Sequence, residues 1–331
     1  MDVNTTCPRC AAKRPSLVRD GFYRRADDSK NIQRIQCKAC GKKFSDATAS
    51  PCYRQKRRRV NATIRLALGF CMCQRDIARL CRVNVKTVAS RLQWQAELSR
   101  QKNLDFVAQY SQRYGPIKRV QFDDLVTFEH TKCKPLTVPV AVVADTRVPI
   151  AFGVASIPAS GHLAAIARKR YGKREDNSRE VREQLFQHLV TVLPPDVHFD
   201  TDGHTHYPEL IKRYFPQATH SVFKSVPGAV VGQGELKKTG FDPLFTINHF
   251  LATLRAKINR LVRRTWCTTK DPDRLSDHID VQMDGFCDYL EQRWQYGKGV
   301  CPMPEARFLR DSLTRYPQFS GAVWKTSGPS T

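Results

Sequence analysis

At 331 residues the chain is long enough for about two domains, one with a large core and one smaller. Lys and Arg number 55 against 31 Asp and Glu, a formal charge of +24, and so large an excess points to a polyanionic partner, because basic side chains gain affinity by releasing counterions condensed on phosphates. No apolar run is long enough to span a membrane, and the opening MDVNTTCPRC lacks the charged-then-apolar order of a signal peptide, so a soluble, intracellular, nucleic-acid-binding protein is expected.

The first predicted unit covers residues 1–50. Cys7-Pro8-Arg9-Cys10 and Cys37-Lys38-Ala39-Cys40 are two Cys-x-x-Cys knuckles, the spacing that sets four thiolates around one tetrahedral ion. The stretch between them reads as two short strands around a polar turn, and Gly41 suits the tight turn after the second knuckle. A structural Zn2+ without an open ligand position is the expectation; a redox dithiol is the alternative. The remaining cysteines show no ligand spacing and read as buried thiols in a reducing compartment.

Residues 51–115 read as a DNA-binding region. Residues 51–100 hold twelve Lys and Arg against Asp76 and Glu97 alone, with Arg57, Arg58 and Arg59 in one run. Ile77, Ala78 and Leu80 are expected inside a first helix, and Val85, Val88 and Leu92 at i, i+3, i+7 form the buried stripe of a second. This helix-turn-helix reading leaves Lys86, Thr87, Ser90 and Arg91 facing outward, toward phosphates and base edges. The turn Arg82-Val83-Asn84 lacks the usual glycine, and Asn84 is expected to supply the left-handed residue. An ordinary helical hairpin is the plainer alternative. Residues 95–115 read as a separate linking helix.

From residue 116 to about 300 the pattern is α/β. A short strand runs into Asp123 and Asp124, a hairpin turns around Asp145, and an interrupted helix covers residues 161–193. A strand then ends in Asp200-Thr201-Asp202. That order predicts a ribonuclease H-like mixed sheet with flanking helices, in which Asp123 and Asp202 at neighbouring strand ends share Mg2+ or Mn2+ for phosphoryl transfer. Each acid alone could equally be a turn residue, and Asp145 is read as one. His204 and His206 follow Asp202 closely enough to approach a metal or a phosphate, although a histidine there more often makes an ordinary hydrogen bond. A closing helix follows residue 270, and 301–331 is a tail.

Taken together, CPRC…CKACGKKF, the helix-turn-helix, QFDD, DTDGHTHY and LRAKINRLVRRTW resemble the bacterial DDE transposases of the insertion-sequence-one family and its relatives, over roughly residues 5–295. The resemblance implies a ribonuclease H-like fold, a metal-bound triad of two aspartates and a glutamate, and cleavage of element ends with strand transfer to a target. It also implies a homo-oligomer acting on double-stranded DNA in the cytoplasm, associated with the nucleoid. Asp123 matches the first aspartate and Asp202 the second. The third position departs from the family: seven residues before Arg255 stands Asn248, with His249 beside it and Glu235 the nearest upstream glutamate. Helical geometry sets Asn248 at the edge of a stripe made by Ile247, Leu251, Leu254, Ile258, Leu261 and Val262 and turns His249 away. Glu235 is expected to contribute only by folding in from a glycine-flanked segment. Arg255, Arg260 and Arg263 are expected to grip DNA or to satisfy acids. A transposase-derived DNA-binding protein without cleavage activity is the alternative from another class, and a nuclease without strand joining would use the same site.

Overall fold

The computed structural model describes residues 6–13, 15–27, 29–144, 146–223, 242–263 and 265–296. The chain forms two compact units, Met1–Thr63 and Ile64–Thr331.

In the first unit, β1 (Leu17–Arg24), β2 (Asn31–Cys37) and β3 (Lys43–Ser45) form an antiparallel sheet in that order. Its core is small, with Leu17, Ile35 and Phe44 packed around Cys7 and Cys37. So few apolar side chains cannot offset the chain entropy of some sixty residues, which is why such ribbons depend on a bound metal.

The second unit begins with helices. After α1 (Asn61–Leu68), α2 (Gln74–Cys81) and α3 (Val85–Tyr114) are joined by three residues. Ile77 and Ala78 are buried as expected, whereas Leu80 is exposed. The left-handed residue of the turn is Arg82, at φ 50° and ψ 48°, not Asn84. Asn84 is extended and caps α3, its Oδ1 accepting from the Lys86 N–H at 2.8 Å. Capping is the more usual employment of an asparagine at this point. The expected linking helix is the continuation of α3, which runs unbroken for 30 residues. Its buried stripe starts at Val88, with Val85 exposed, and continues through Leu92, Ala96, Asn103 and Val107.

The strands that follow are β4 (Arg119–Phe128), β5 (Pro135–Val143), β6 (Pro149–Phe152) and β7 (Ala155–Ser156). Then come α4 (Leu163–Tyr171), α5 (Ser178–Val192), β8 (His198–Thr201), α6 (Tyr207–Tyr214) and β9 (Thr219–Val222). The described residues close with α7 (Phe245–Lys257) and α8 (Pro272–Tyr296). The sheet order is β6-β5-β4-β8-β9, with β7 also on β5. β5 is antiparallel to β4, β6 is antiparallel to β5, and β4, β8 and β9 are parallel. One reversed strand in a mixed sheet entered at its middle is the ribonuclease H-like arrangement. β5 is covered on both faces and is buried from Leu136 to Val143.

The covering helices have distinct faces. Phe122 packs edge-on against Phe186 of α5 and Tyr207 of α6, with centroids 5.3 and 4.9 Å away. On the other face, Gln121 grips the start of α7. Its Nε2 donates to Pro243 O at 2.8 Å and its Oε1 accepts from the Ile247 N–H at 2.9 Å. Near the far end of β4, Arg255 Nη2 donates to Val126 O at 3.0 Å, so α7 lies along β4. Phe250 of α7 meets Phe286 of α8 at 5.2 Å. The predicted stripe of α7 is shorter than expected: the helix stops at Lys257, Ile258 is extended, and Leu261 is buried in a separate 3-10 turn.

Candidate functional site

The first unit brings Cys7, Cys10, Cys37 and Cys40 together, with all four Sγ atoms within 4.8 Å of one another. Cys7 lies 3.6 Å from Cys40, and Cys10 lies 3.7 Å from Cys37. A tetrahedron with metal–sulfur bonds of about 2.3 Å has edges of about 3.8 Å, so the cage fits a metal such as zinc. The two knuckles have matching backbones. The Cys7 and Cys37 N–H groups donate to Ala12 O and Lys42 O, and the Ala11 and Gly41 N–H groups donate back to Cys7 O and Cys37 O. Ala11 and Gly41 are both left-handed, at φ 55° and 70°. Desolvation opposes ionisation of Cys7, yet N–H donation from Arg9 and Cys10 brings its thiol down to about 6. Cys10 is pushed up to about 12: Ala12 donates to it, but Cys40, burial, Cys7 and Cys37 outweigh that bond. Four crowded thiols ionise together only around a cation. In the same unit Arg57 and Arg59 are exposed, while Arg58 is half-buried, its N–H donating to Asp27 at 2.8 Å.

At the start of α3, Lys86 and Ser90 are exposed and Thr87 is half-buried. Arg91 departs from expectation, being only 8% exposed. It stands three residues from Val88 and beside Leu92, on the buried stripe.

The central sheet collects four acids. Asp123 lies in the middle of β4 rather than at its end, paired across to Val140 of β5. Parallel pairing of β4 with β8 runs through Gln121↔Asp200 and Phe122↔Thr201, and Asp202, just past the end of β8, lies close enough for its charge to act on the Asp123 carboxyl. Paired residues of parallel strands point to the same face, so Asp200 shares the α7 face with Gln121, and Asp123, two residues on in β4, shares it too. Asp124 faces the other way, toward α5.

The four acids differ in how they are neutralised. Asp124 Oδ2 accepts from Arg182 Nη2 at 2.5 Å and from Thr137 Oγ1 at 2.8 Å. Asp200, fully buried, accepts from Arg119 Nε at 2.6 Å and lies 3.1 Å from His198 Nε2. Among the described residues neither Asp123 nor Asp202 has a Lys or Arg partner; Asp123 accepts from the Asp124 N–H at 2.7 Å and Asp202 from the His204 N–H at 3.0 Å. Burial raises the Asp123 carboxyl to about 7, with the Asp202 and Asp124 charges adding to the rise and the Asp124 N–H opposing it. Two neighbouring carboxylates without a counter-charge form a donor set suited to a hard divalent cation.

The third position is less complete. Asn248 is exposed on the first turns of α7, its Nδ2 donating to Asp242 Oδ2 at 2.8 Å. His249 is turned to the β5–β6 hairpin, with Arg147 Nη1 3.3 Å from its Nδ1. Burial, then that guanidinium, lowers its pKa and favours the neutral ring. Glu235 and Asp145 lie outside the described residues. Within those residues, the four cysteines are the one group of three or more thiols, imidazoles or acids close enough to hold a single ion. His204 stacks on Tyr207 at 4.6 Å, and burial and Arg182 lower its pKa; His206 is exposed. Arg255 is half-buried and gives hydrogen bonds to Val126 O and Leu261 O, Arg260 is half-buried, and Arg263 is exposed. Arg182 and Arg119 went unnoticed in sequence, since nothing local ties them to acids 58 and 81 positions away. No described helix is long and apolar enough to cross a membrane.

No protein-family model matches the chain. No curated protein matches it either. Among solved structures, the Mos1 strand transfer complex aligns at 12% identity over 72% of this chain and 79% of that one, with a TM-score of 0.20. A pre-cleavage Mos1 transpososome aligns at 11% identity over 69% and 76%, with a TM-score of 0.16. Superpositions this loose carry no argument, and the fold is read from the strand order itself.

Proposed function

We propose that the protein is a metal-dependent DNA transposase, binding duplex DNA and cutting and joining its strands at Asp123 and Asp202. The observation that carries this reading is the contrast among the four acids: Asp124 and Asp200 are matched by arginines, and among the described residues Asp123 and Asp202 are not. Asp123 is half-buried and its carboxyl is raised to about 7, the state expected of an acid without a counter-cation, and a divalent ion would supply one. A Mg2+ or Mn2+ ion held by Asp123 and Asp202 would supply Lewis-acid activation of a hydroxyl and stabilise the leaving oxygen. The chain itself holds Asp123 on β4 and Asp202 just past the end of the neighbouring β8, and fixes Asp202 through the His204 N–H. Asn248 is the favoured neutral third ligand, after rotation of its amide away from Asp242. Zn2+ on the four cysteines would order the first unit, and Lys86, Thr87 and Ser90 would meet the major groove, with Arg57, Arg59 and Arg263 on phosphates. Work on paired DNA ends implies an oligomer.

A second reading, a DNA-binding protein without cleavage activity, is favoured by one feature: among the described residues no third acid or imidazole joins the pair closely enough to hold one ion with it. The deciding experiment incubates the protein with plasmid carrying the gene's own flanking DNA and Mg2+ or Mn2+. Cleaved and joined products with wild type, absent with Asp123→Ala and Asp202→Ala, are the expected result, and Asn248→Glu should then raise the rate. Binding of the same DNA with no product in either metal would establish the second reading.

A further inference from the structure

Helix α4 is held by very little of the fold. Of its nine residues only Ala167 is buried, and Ile166 is 52% exposed. A helix that short gains too little from its own hydrogen bonds to persist without packing. Its charge is equally one-sided. From Arg168 the chain reads Arg-Lys-Arg-Tyr-Gly-Lys-Arg without an acid. Arg174 turns inward, its Nη2 donating to Glu129 at 2.9 Å and to Ser156 at 3.0 Å. Arg168, Lys169, Arg170 and Lys173 have no carboxylate partner among the described residues, whereas Arg65, Arg100, Arg119, Arg182 and Arg213 all engage acids.

Geometry spreads these charges. Three successive helical positions fan over roughly 200°, so Arg168, Lys169 and Arg170 point along different directions from one axis. The Tyr171 ring stands between two of the cations, with Lys134 Nζ 5.1 Å and the Arg170 guanidinium 5.7 Å from its centroid. An open cavity of about 1460 Å³ lies between α4 and the start of α5, lined by Arg168, Lys169 and Lys173 with Lys134, Arg174 and Arg179, and by Glu175, Asp176, Glu180 and Glu183. Six cations against four acids leave this side of α4 net basic. A polyanion is therefore received along the ridge of α4.

We propose that α4 and the turn after it form a second duplex-DNA contact, one that reads phosphates and not bases, separate from the start of α3. The proposal rests on the DNA-binding reading above. Duplex DNA fits because long cationic side chains fanned over about 200° at the end of one helix can meet the backbones on both sides of a major groove roughly 12 Å wide. Arg168, Lys169, Arg170 and Lys173 have no carboxylate partner among the described residues to fix their orientation, so they suit phosphates, which every sequence presents, better than the fixed bidentate geometry an arginine needs on a guanine edge.

The test uses the zinc-loaded full chain and a labelled duplex of arbitrary sequence. Affinity is measured at several KCl concentrations for wild type and for the variant Arg168→Gln/Lys169→Gln/Arg170→Gln/Lys173→Gln. Loss of four phosphate contacts should make the slope of log affinity against log salt shallower by about 3 to 4. Preference among DNA sequences should stay as in wild type, while Lys86→Ala/Ser90→Ala should alter it. An unchanged slope with intact wild-type binding would overturn the proposal and leave the DNA reading standing. A wild type with no duplex affinity at any salt would overturn both. Poly-glutamate competing as well as duplex at equal charge would reassign the ridge to an acidic protein segment. Should the fourfold variant fail to fold, Ile166→p-benzoylphenylalanine provides the second measurement: photocrosslinking to duplex is expected, and its absence overturns the contact.

Discussion

Two residues that look ordinary in sequence carry much of the local energetics. Ala11 holds the left-handed conformation that Gly41 holds in the matching knuckle. A Cβ there costs about 1 kcal/mol. Ala11→Gly should therefore raise stability by about that amount, read as greater resistance of the zinc-loaded chain to a chelator; equal or lower resistance would mean the strain is relieved elsewhere. Arg182, 8% exposed in its side chain, closes on Asp124 at 10%. Arg182→Met strands that carboxylate and should cost about 3–5 kcal/mol in urea denaturation. Adding Asp124→Leu should recover most of the loss. If the double variant is no more stable than the single one, the arginine acts through packing alone.

At the scale of elements, the pairing of α3 with α8 explains several residues at once. Ser99 Oγ donates to Asp284 at 2.7 Å, Arg100 Nη2 to Asp280 at 2.8 Å, and Asn103 Nδ2 to Asp280 O at 3.1 Å. A row of acids on α8 thus takes up polar positions of α3, which makes the buried stripe of α3 wider than its apolar residues suggest. His278 of α8 is fully buried with Nε2 3.1 Å from Leu68 O. Burial, then Arg260, lowers its pKa to about 4, with the Leu68 carbonyl opposing. The unfolded chain's histidine binds its proton near 6.5. Its contribution is therefore complete above about pH 6.5 and is lost as pH falls toward 4, about 2 kcal/mol by pH 5. Asp280, raised to about 6 chiefly by burial, works in the opposite sense. Comparing wild type with His278→Gln cancels that common term. The variant should lose the histidine's share of the acid sensitivity; identical pH profiles would show the ring to be uncoupled.

Over the whole molecule, the two units depend on different forces. The first has a handful of apolar residues and four cysteines, whereas the core of the second extends through the sheet and its helices on both faces. Chelation should unfold residues of the first unit and leave the second folded, seen by hydrogen exchange as lost protection confined to β1, β2 and β3. Protection lost throughout the chain would mean that the cysteine cage supports both units.

Local spacing sufficed for the features that depend on near neighbours. Cys-x-x-Cys repeated twice determines a four-thiol cage, because each knuckle closes through bonds within its own six residues. What tertiary structure decided was which acids are left without a counter-charge, because that depends on the β4–β8 register and on Arg119 and Arg182, far away in sequence. It also decided that Arg91 is buried, that α3 is one helix and that α7 ends at Lys257. In each case packing against distant chain overrides the local periodicity from which the expectation was read.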